Sequence, residues 1–169
     1  MSTPAHRYLV ALGSNLGERL AFLQQAAAAI KADIGQVTAH AGYYATQPLG
    51  AADQPFINSA LVVLTQLPPE AMLQSLMGIE TRLGRVRRER WGNRIIDLDI
   101  LLWQRWADHA WHSAACDSAT LRVPHPHLLQ RDFALVPAAE IAGDWWHPEA
   151  HTRLDQAVIA QGFYLPALP

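Results

Sequence analysis

Between Ile95 and Trp103 the chain is apolar except for two carboxylates, Asp97 and Asp99, one residue apart. A strand sends successive side chains to opposite faces. Ile96, Leu98 and Ile100 therefore share one face, and Asp97 and Asp99 share the other. Like charges about 7 Å apart on a half-buried face are costly unless something cationic lies between them. Immediately upstream, the segment from Gly84 to Arg94 holds Arg85, Arg87, Arg88, Arg90 and Arg94. A divalent metal carrying phosphate ligands would resolve the carboxylate pair, and guanidinium groups suit phosphate oxygens. Each feature alone has a plainer reading, the arginines as a solvated loop and the aspartates as hydrogen-bond acceptors for neighbouring loops. Side by side they supply the clamp and the metal seat that phosphoryl transfer requires.

The rest of the composition narrows the setting. The net charge is −2, and half the residues are hydrophobic, which excludes a disordered chain and a general nucleic-acid coat. Yet six of the 13 basic residues fall between Arg82 and Arg94, a local anion site in a mildly acidic protein. Cys116 is the only cysteine, so no intramolecular disulfide forms, and a bystander thiol is the simpler account of it. No apolar leader precedes Tyr8, and no run reaches the roughly 18 apolar residues of a membrane span. A soluble, cytoplasmic, single-domain protein of 169 residues is expected.

Periodicity predicts a strand over Arg7–Leu12, a helix from about Glu18 to Ala32, and a strand over Gln36–Tyr44. Further on it predicts a strand over Ile57–Gln66, a helix from Pro68 to about Leu83, and a strand over Ile95–Trp103. Asn15 followed by Glu18 reads as a capping signature, and Gly84 as a helix stop. This order fits a ferredoxin-like βαββαβ core, an α+β fold with an antiparallel sheet and helices packed on one face, plus C-terminal additions. Gln104–Thr120 shows no clear period, and its tryptophans read best as cover for a sheet edge. Ala134–Ile141 reads as a short helix.

Several smaller motifs stay open on spacing alone. Gly13–Gly17 lies at a strand–helix turn but lacks the Lys-Ser/Thr pair of a phosphate loop, so a tight turn and cap is the better account. His125-Pro126-His127 has no third ligand at a zinc spacing. It suits either one imidazole bonded to phosphate or a structural turn. Pro48-Leu49-Gly50 with Phe56 and Asn58 could bind a flat heterocycle, by stacking and by an amide matching its edge. A loop with a buried ring and a capping Asn accounts for it equally well.

In order, the chain carries Ala-Leu-Gly-Ser-Asn-Leu-Gly, Thr46-x-Pro48-Leu49-Gly50, Asp53-Gln54-Pro55-Phe56-x-Asn58 and Gly84-Arg85-x-Arg87. Then come Arg90-Trp91-Gly92-x-Arg94, Asp97-Leu98-Asp99-Ile100 and Val123-Pro124-His125, followed by Arg131-x-Phe133. From about residue 7 to 148 this set resembles the 6-hydroxymethyl-7,8-dihydropterin pyrophosphokinases. The resemblance implies a folate-biosynthesis enzyme that moves the pyrophosphoryl group of ATP to the hydroxymethyl oxygen of 6-hydroxymethyl-7,8-dihydropterin, releasing AMP. It implies that Asp97 and Asp99 hold two magnesium ions bridging the ATP phosphates, with Arg85 and Arg94 steadying the transferring group. Arg87, Arg90 and Trp91 would belong to a loop that closes over ATP. His125 and Arg131 would meet its phosphates, Glu80 the ribose side, and the backbone of Ile100, Leu121 and Arg122 the adenine. The pterin would lie between Phe56 and Phe133, its edge read by Asn58 and by the backbone of Thr46, Pro48 and Leu49.

The chain departs from the family pattern at Met77, where a phosphate-contacting Gln is common, and at Pro126, where a side-chain donor is common. Gln47 replaces a frequent Pro, the arginine loop is one residue shorter around Arg88, and Gln104–Thr120 is extended. No nucleic acid, no membrane and a monomer are expected. Two rivals remain. An RNA-binding ferredoxin-like module would need aromatics on Arg7–Leu12 and Ile57–Gln66, which offer only Tyr8. A metal-dependent phosphohydrolase could use the same aspartates.

Overall fold

The computed structural model describes residues 4–46, 54–86 and 93–169. Its main sheet is built from β1 (His6–Ser14), β2 (Gln36–His40), β3 (Tyr44–Thr46), β4 (Phe56–Thr65), β5 (Asp97–Ala107) and β6 (Ala110–Ala114). The strands run in the order β2-β4-β1-β5-β6, β3 also pairs with β4, and every pair is antiparallel. With α1 (Arg19–Asp33) after β1 and α2 (Pro69–Arg82) after β4, the expected βαββαβ core is present. Two short ladder strands, β7 (Cys116–Asp117) and β8 (Arg122–Val123), follow, then α3 (Asp132–Ala142), the hairpin β9 (Trp146–His147) with β10 (Thr152–Arg153), and α4 (Leu154–Gln161).

Helices cover both faces of the sheet, not one. Tyr8, Val10 and Leu12 of β1 join Leu98 and Ile100 of β5 in a core with Leu23, Ala26 and Ile30 of α1 and Met72, Leu76 and Ile79 of α2. On the opposite face Leu9, Ala60, Val62, Leu101 and Leu102 pack against Leu135, Ala138 and Ala142 of α3 and Leu154 and Ala157 of α4. The central strands are near-continuous apolar runs because both their faces need a partner. The register of β1 on β5 slips between Leu9 and Val10, so Leu101 and Leu102 both belong to the α3 side.

Other boundaries differ for identifiable reasons. Gln36–Tyr44 is two strands, β2 and β3, because the amide of Gly42 donates to the Glu140 carboxylate at 2.8 Å instead of joining the ladder. The segment without period is a hairpin, β5 continuing to Ala107 and turning through Asp108 and His109, at φ 51° and 59°, into β6. Two left-handed residues in a row are usually Asn-Gly or Asp-Gly, so Asp-His gives little warning of the turn. The expected cover is present in part: the Arg7 guanidinium lies 4.8 Å from the centroids of both Trp111 and Trp145. Trp106 is left 43% exposed.

Candidate active site

Sheet register sets out the floor of the site. Across β5, β1, β4 and β3 one row reads Asp97, Gly13, Asn58, Tyr44, and the next reads Asp99, Ala11, Ala60. Strands lie about 4.8 Å apart, so Asp97 and Asn58 are separated by roughly 10 Å with only a glycine between them. Small residues in the middle of the rows leave a trough, and α3 with the 123–131 segment builds its wall. The resulting cleft, with about 740 Å³ of free space, is lined by Thr46, Phe56, Asn58, Arg94, Asp97, Asp99, His125, Arg131 and Phe133 among others. All nine were singled out from the sequence.

Asp97 is held by two guanidinium groups, at 2.8 Å from Arg85 and 2.7 Å from Arg94. Asp99 lies one pair further along the same face, opposite Ala11. Burial first, then the charges of Asp97 and Glu80, push its pKa up to about 8. Asp99 therefore largely keeps its proton near pH 7 in the free protein, and a bound cation would displace that proton and make the pair an anionic seat. Their donor chemistry, hard carboxylate oxygens on one strand face, suits magnesium.

His125 sits where the 123–127 turn, which contains the cis Val123–Pro124 bond, is fastened to β5 by its amide donating to the Leu101 carbonyl at 2.9 Å. Its Nδ1 accepts from the amide of His127 at 3.1 Å, so a neutral ring carries its proton on Nε2 as a donor. Burial first, then Arg131 and His127, bring its pKa down to about 4, and the ring is neutral near pH 7. Arg131, at the start of α3, places its guanidinium 5.7 Å from the centroid of Phe133. Asn58 donates to the Thr46 hydroxyl at 2.6 Å, which leaves its carbonyl oxygen for other partners.

The remaining expected residues fall elsewhere. Glu80 is 2% exposed and lies under the cleft, where its carboxylate accepts from Arg85 and, at 2.9 Å, from the amide of Leu98. There it braces Arg85 and the start of β5, and it does not line the cleft. Ile100 is on the opposite face, in the α1–α2 core. Arg122 is in β8, paired with Asp117, Leu121 directly precedes it, and neither lines the cleft. Pro48, Leu49, Arg87, Arg90 and Trp91, with Gln47 and Arg88, lie outside the described residues.

Two residues do work that their sequence context concealed. Asn15 does not cap α1, whose first turn has no side-chain cap. Instead its side chain accepts from the amide of Arg94 at 2.6 Å and donates to Asn93 at 3.0 Å and to the Gln54 carbonyl at 3.3 Å. It clasps the two loops that carry Arg94 and Phe56. Gly13 is not in the turn but in β1, and a Cβ there would stand 3.1 Å from Asn58 Oδ1 and 3.5 Å from Phe56 Cδ1. Gly13→Ala should therefore displace Asn58 by a few tenths of an ångström and weaken pterin-site binding several-fold with little loss of melting temperature. A Kd equal to wild type by calorimetry would show that the floor tolerates the methyl.

Comparison with known proteins agrees with this geometry. Residues 9–143 match the family model described as 7,8-dihydro-6-hydroxymethylpterin-pyrophosphokinase. The chain is 40% identical over 140 residues to the 2-amino-4-hydroxy-6-hydroxymethyldihydropteridine pyrophosphokinase of Methylorubrum extorquens, covering 82% of this chain and 84% of that protein. It is 41% identical over 134 residues to the Bacillus subtilis protein of the same name, covering 78% and 75%. Among solved structures, a Plasmodium falciparum HPPK-DHPS variant superposes with a TM-score of 0.72 at 14% identity, covering 94% of this chain and 44% of that one. At that identity the likeness shows the fold, and this chain spans less than half the length of the solved one.

Proposed function

Since the chain belongs to the 7,8-dihydro-6-hydroxymethylpterin-pyrophosphokinase family, we propose that its cleft holds the pterin and the ATP phosphates side by side over the β5–β1–β4 floor. The family's reaction is pyrophosphoryl transfer from ATP onto hydroxymethyldihydropterin in folate biosynthesis. The observation that carries the site reading is the shared row of Asp97, Gly13 and Asn58, which sets a phosphate-side carboxylate and a pterin-side amide about two strands apart. Phe56 and Phe133 supply faces for the pterin ring, and Asn58 with Thr46 supplies the polar edge.

The hydroxymethyl oxygen attacks the β-phosphorus and gives its proton to water, the bond from that phosphorus to the α-phosphate's bridging oxygen breaks, and AMP leaves with that oxygen. Positioning and charge neutralisation carry the step, and no covalent enzyme intermediate is needed. Arg94, fixed by Asp97, presents its guanidinium to the transferring charge, Arg131 adds a second, His125 Nε2 donates one hydrogen bond, and Arg85 braces Asp97 from beneath. Asp97 and Asp99 would hold two magnesium ions. Among the described residues no group of three or more His, Cys, Asp or Glu could hold a metal, so phosphate oxygens would complete the coordination. When bound, the metal neutralises charge as it develops on the phosphates.

The reading includes one domain over residues 1–169, a monomer, acting in the cytoplasm. What supports the single domain is a main sheet shared by both apolar cores. Among the described residues no helix is long and apolar enough to cross a membrane. Incubation with magnesium, ATP and hydroxymethyl-dihydropterin should give AMP and pterin pyrophosphate in equal amounts. AMP or ADP formed without pterin would favour the phosphohydrolase, and no turnover the RNA module. Asn58→Ala should cost about 1–3 kcal/mol of pterin binding, roughly 5- to 150-fold in Kd, with an ATP analogue bound as before. The reverse pattern in a calorimetric titration would place the pterin elsewhere.

A further inference from the structure

One carboxylate links the two sides of the pterin pocket. Glu140 on α3 accepts from the Tyr44 hydroxyl through Oε1 and from the Gly42 amide at 2.8 Å through Oε2. Tyr44 is directly opposite Asn58 in the β3–β4 register, and Thr46, two residues on, accepts from the Asn58 amide. Phe133, seven residues before Glu140 and thus two turns back on the same helix face, lines the cleft. The span from stacking ring to edge-reading amide therefore runs through α3, Glu140 and Tyr44.

We infer that Glu140 is a positioning residue for the pterin, setting β3 and its Asn58–Thr46 pair at the right distance from the Phe133 ring. The inference rests on the pterin reading given above. Burial first, then the hydrogen bond and charge of Glu140, push the Tyr44 hydroxyl up to about 12, so it remains a donor throughout the physiological range. β3 does not depend on Glu140 for its existence. It stays paired with β4, and its outer side is held where Leu168 donates to the Tyr43 carbonyl at 2.7 Å and Ala167 bridges Tyr44. Removing the carboxylate should loosen alignment while the strand stays in place.

The test is calorimetric titration of hydroxymethyl-dihydropterin into the full-length protein saturated with magnesium and a non-hydrolysable ATP analogue, and separately of the analogue alone. Glu140→Ala should raise the pterin Kd about tenfold and leave the analogue's Kd within twofold. Glu140→Gln keeps an acceptor for Gly42 and an amide that can donate to the Tyr44 oxygen, so it should restore the pterin Kd to within threefold of wild type. Tyr44→Phe, which removes one of the two bonds and no packing, should raise it three- to fivefold and decides the matter if Glu140→Ala fails to fold. An unchanged pterin Kd in Tyr44→Phe or in Glu140→Ala, or an equal loss for pterin and ATP analogue, would overturn the inference. Asn58→Ala serves as the control. If it weakens pterin and the Glu140 variants do not, the positioning role alone falls, and if none of them does, the pterin site itself is misplaced.

Discussion

Asp99→Asn is expected to lower turnover at least about a hundredfold, the scale on which removing one preorganised electrostatic group slows a reaction, while making the ligand-free protein more stable. The two effects have one origin. Asp99 carries a pKa raised to about 8, because burial and the charges of Asp97 and Glu80 oppose its ionisation. In the unfolded chain the group ionises near pH 4. Between about pH 4 and 8 the unfolded state gives up a proton that the folded state keeps, so this group's contribution to stability falls as pH rises through that window and is level above it. Asparagine has no such penalty. Denaturation of the ligand-free proteins at pH 5 and pH 8 should show the variant gaining on wild type as pH rises, and magnesium with an ATP analogue should narrow the gap by stabilising wild type more. Turnover within tenfold of wild type, or a stability difference independent of pH, would remove Asp99 from the metal seat.

The site was more legible in the sequence than its supports were. Asp97, Asp99, Arg94, Asn58, Phe56, His125, Arg131 and Phe133 stand in short ordered motifs, and the cleft gathers them. Residue type there is dictated by ligand chemistry, which leaves few substitutes. The supports are set by tertiary contacts that local patterns do not encode. Asn15 with Glu18 has the spacing of a cap, yet the Asn15 amide faces two loops that arrive 39 and 78 residues later. Gly13 reads as a turn glycine until register puts it between Asp97 and Asn58. The resemblance sets Glu80 at the ribose side of ATP, and only the fold shows it buried beneath β5. The second apolar face was hidden because runs such as Ala60–Leu64 fit a one-sided or a two-sided strand equally well.

The buried Glu80 charge makes Arg85→Ala a strongly destabilising change. The Arg85 side chain is 7% exposed and its Nη1 reaches both Glu80, 3% exposed, and Asp97 at 2.8 Å. Burial pulls the guanidinium's pKa down, but Asp97 and Glu80 outweigh it and the net shift is upward, so the arginine stays charged. Truncating it takes the Arg85 guanidinium away from the buried Glu80 carboxylate and leaves Asp97 with Arg94. Breaking a buried pair in this way costs about 3–5 kcal/mol, which for a chain of this size lowers the melting temperature by roughly 10 °C. Arg85→Lys should recover part of that, since one ammonium cannot reproduce the planar bridge between two carboxylates. The double variant Glu80→Gln, Arg85→Met removes both buried charges and should melt well above Arg85→Ala, because keeping a buried carboxylate charged after its guanidinium is gone costs more than the lost attraction. Its turnover should stay low, as Asp97 has lost one of the two guanidinium groups that hold it. Melting of Arg85→Ala within 2 °C of wild type, or no recovery in the double variant, would show that Glu80 finds another cation or water and that Arg85 is not what holds it.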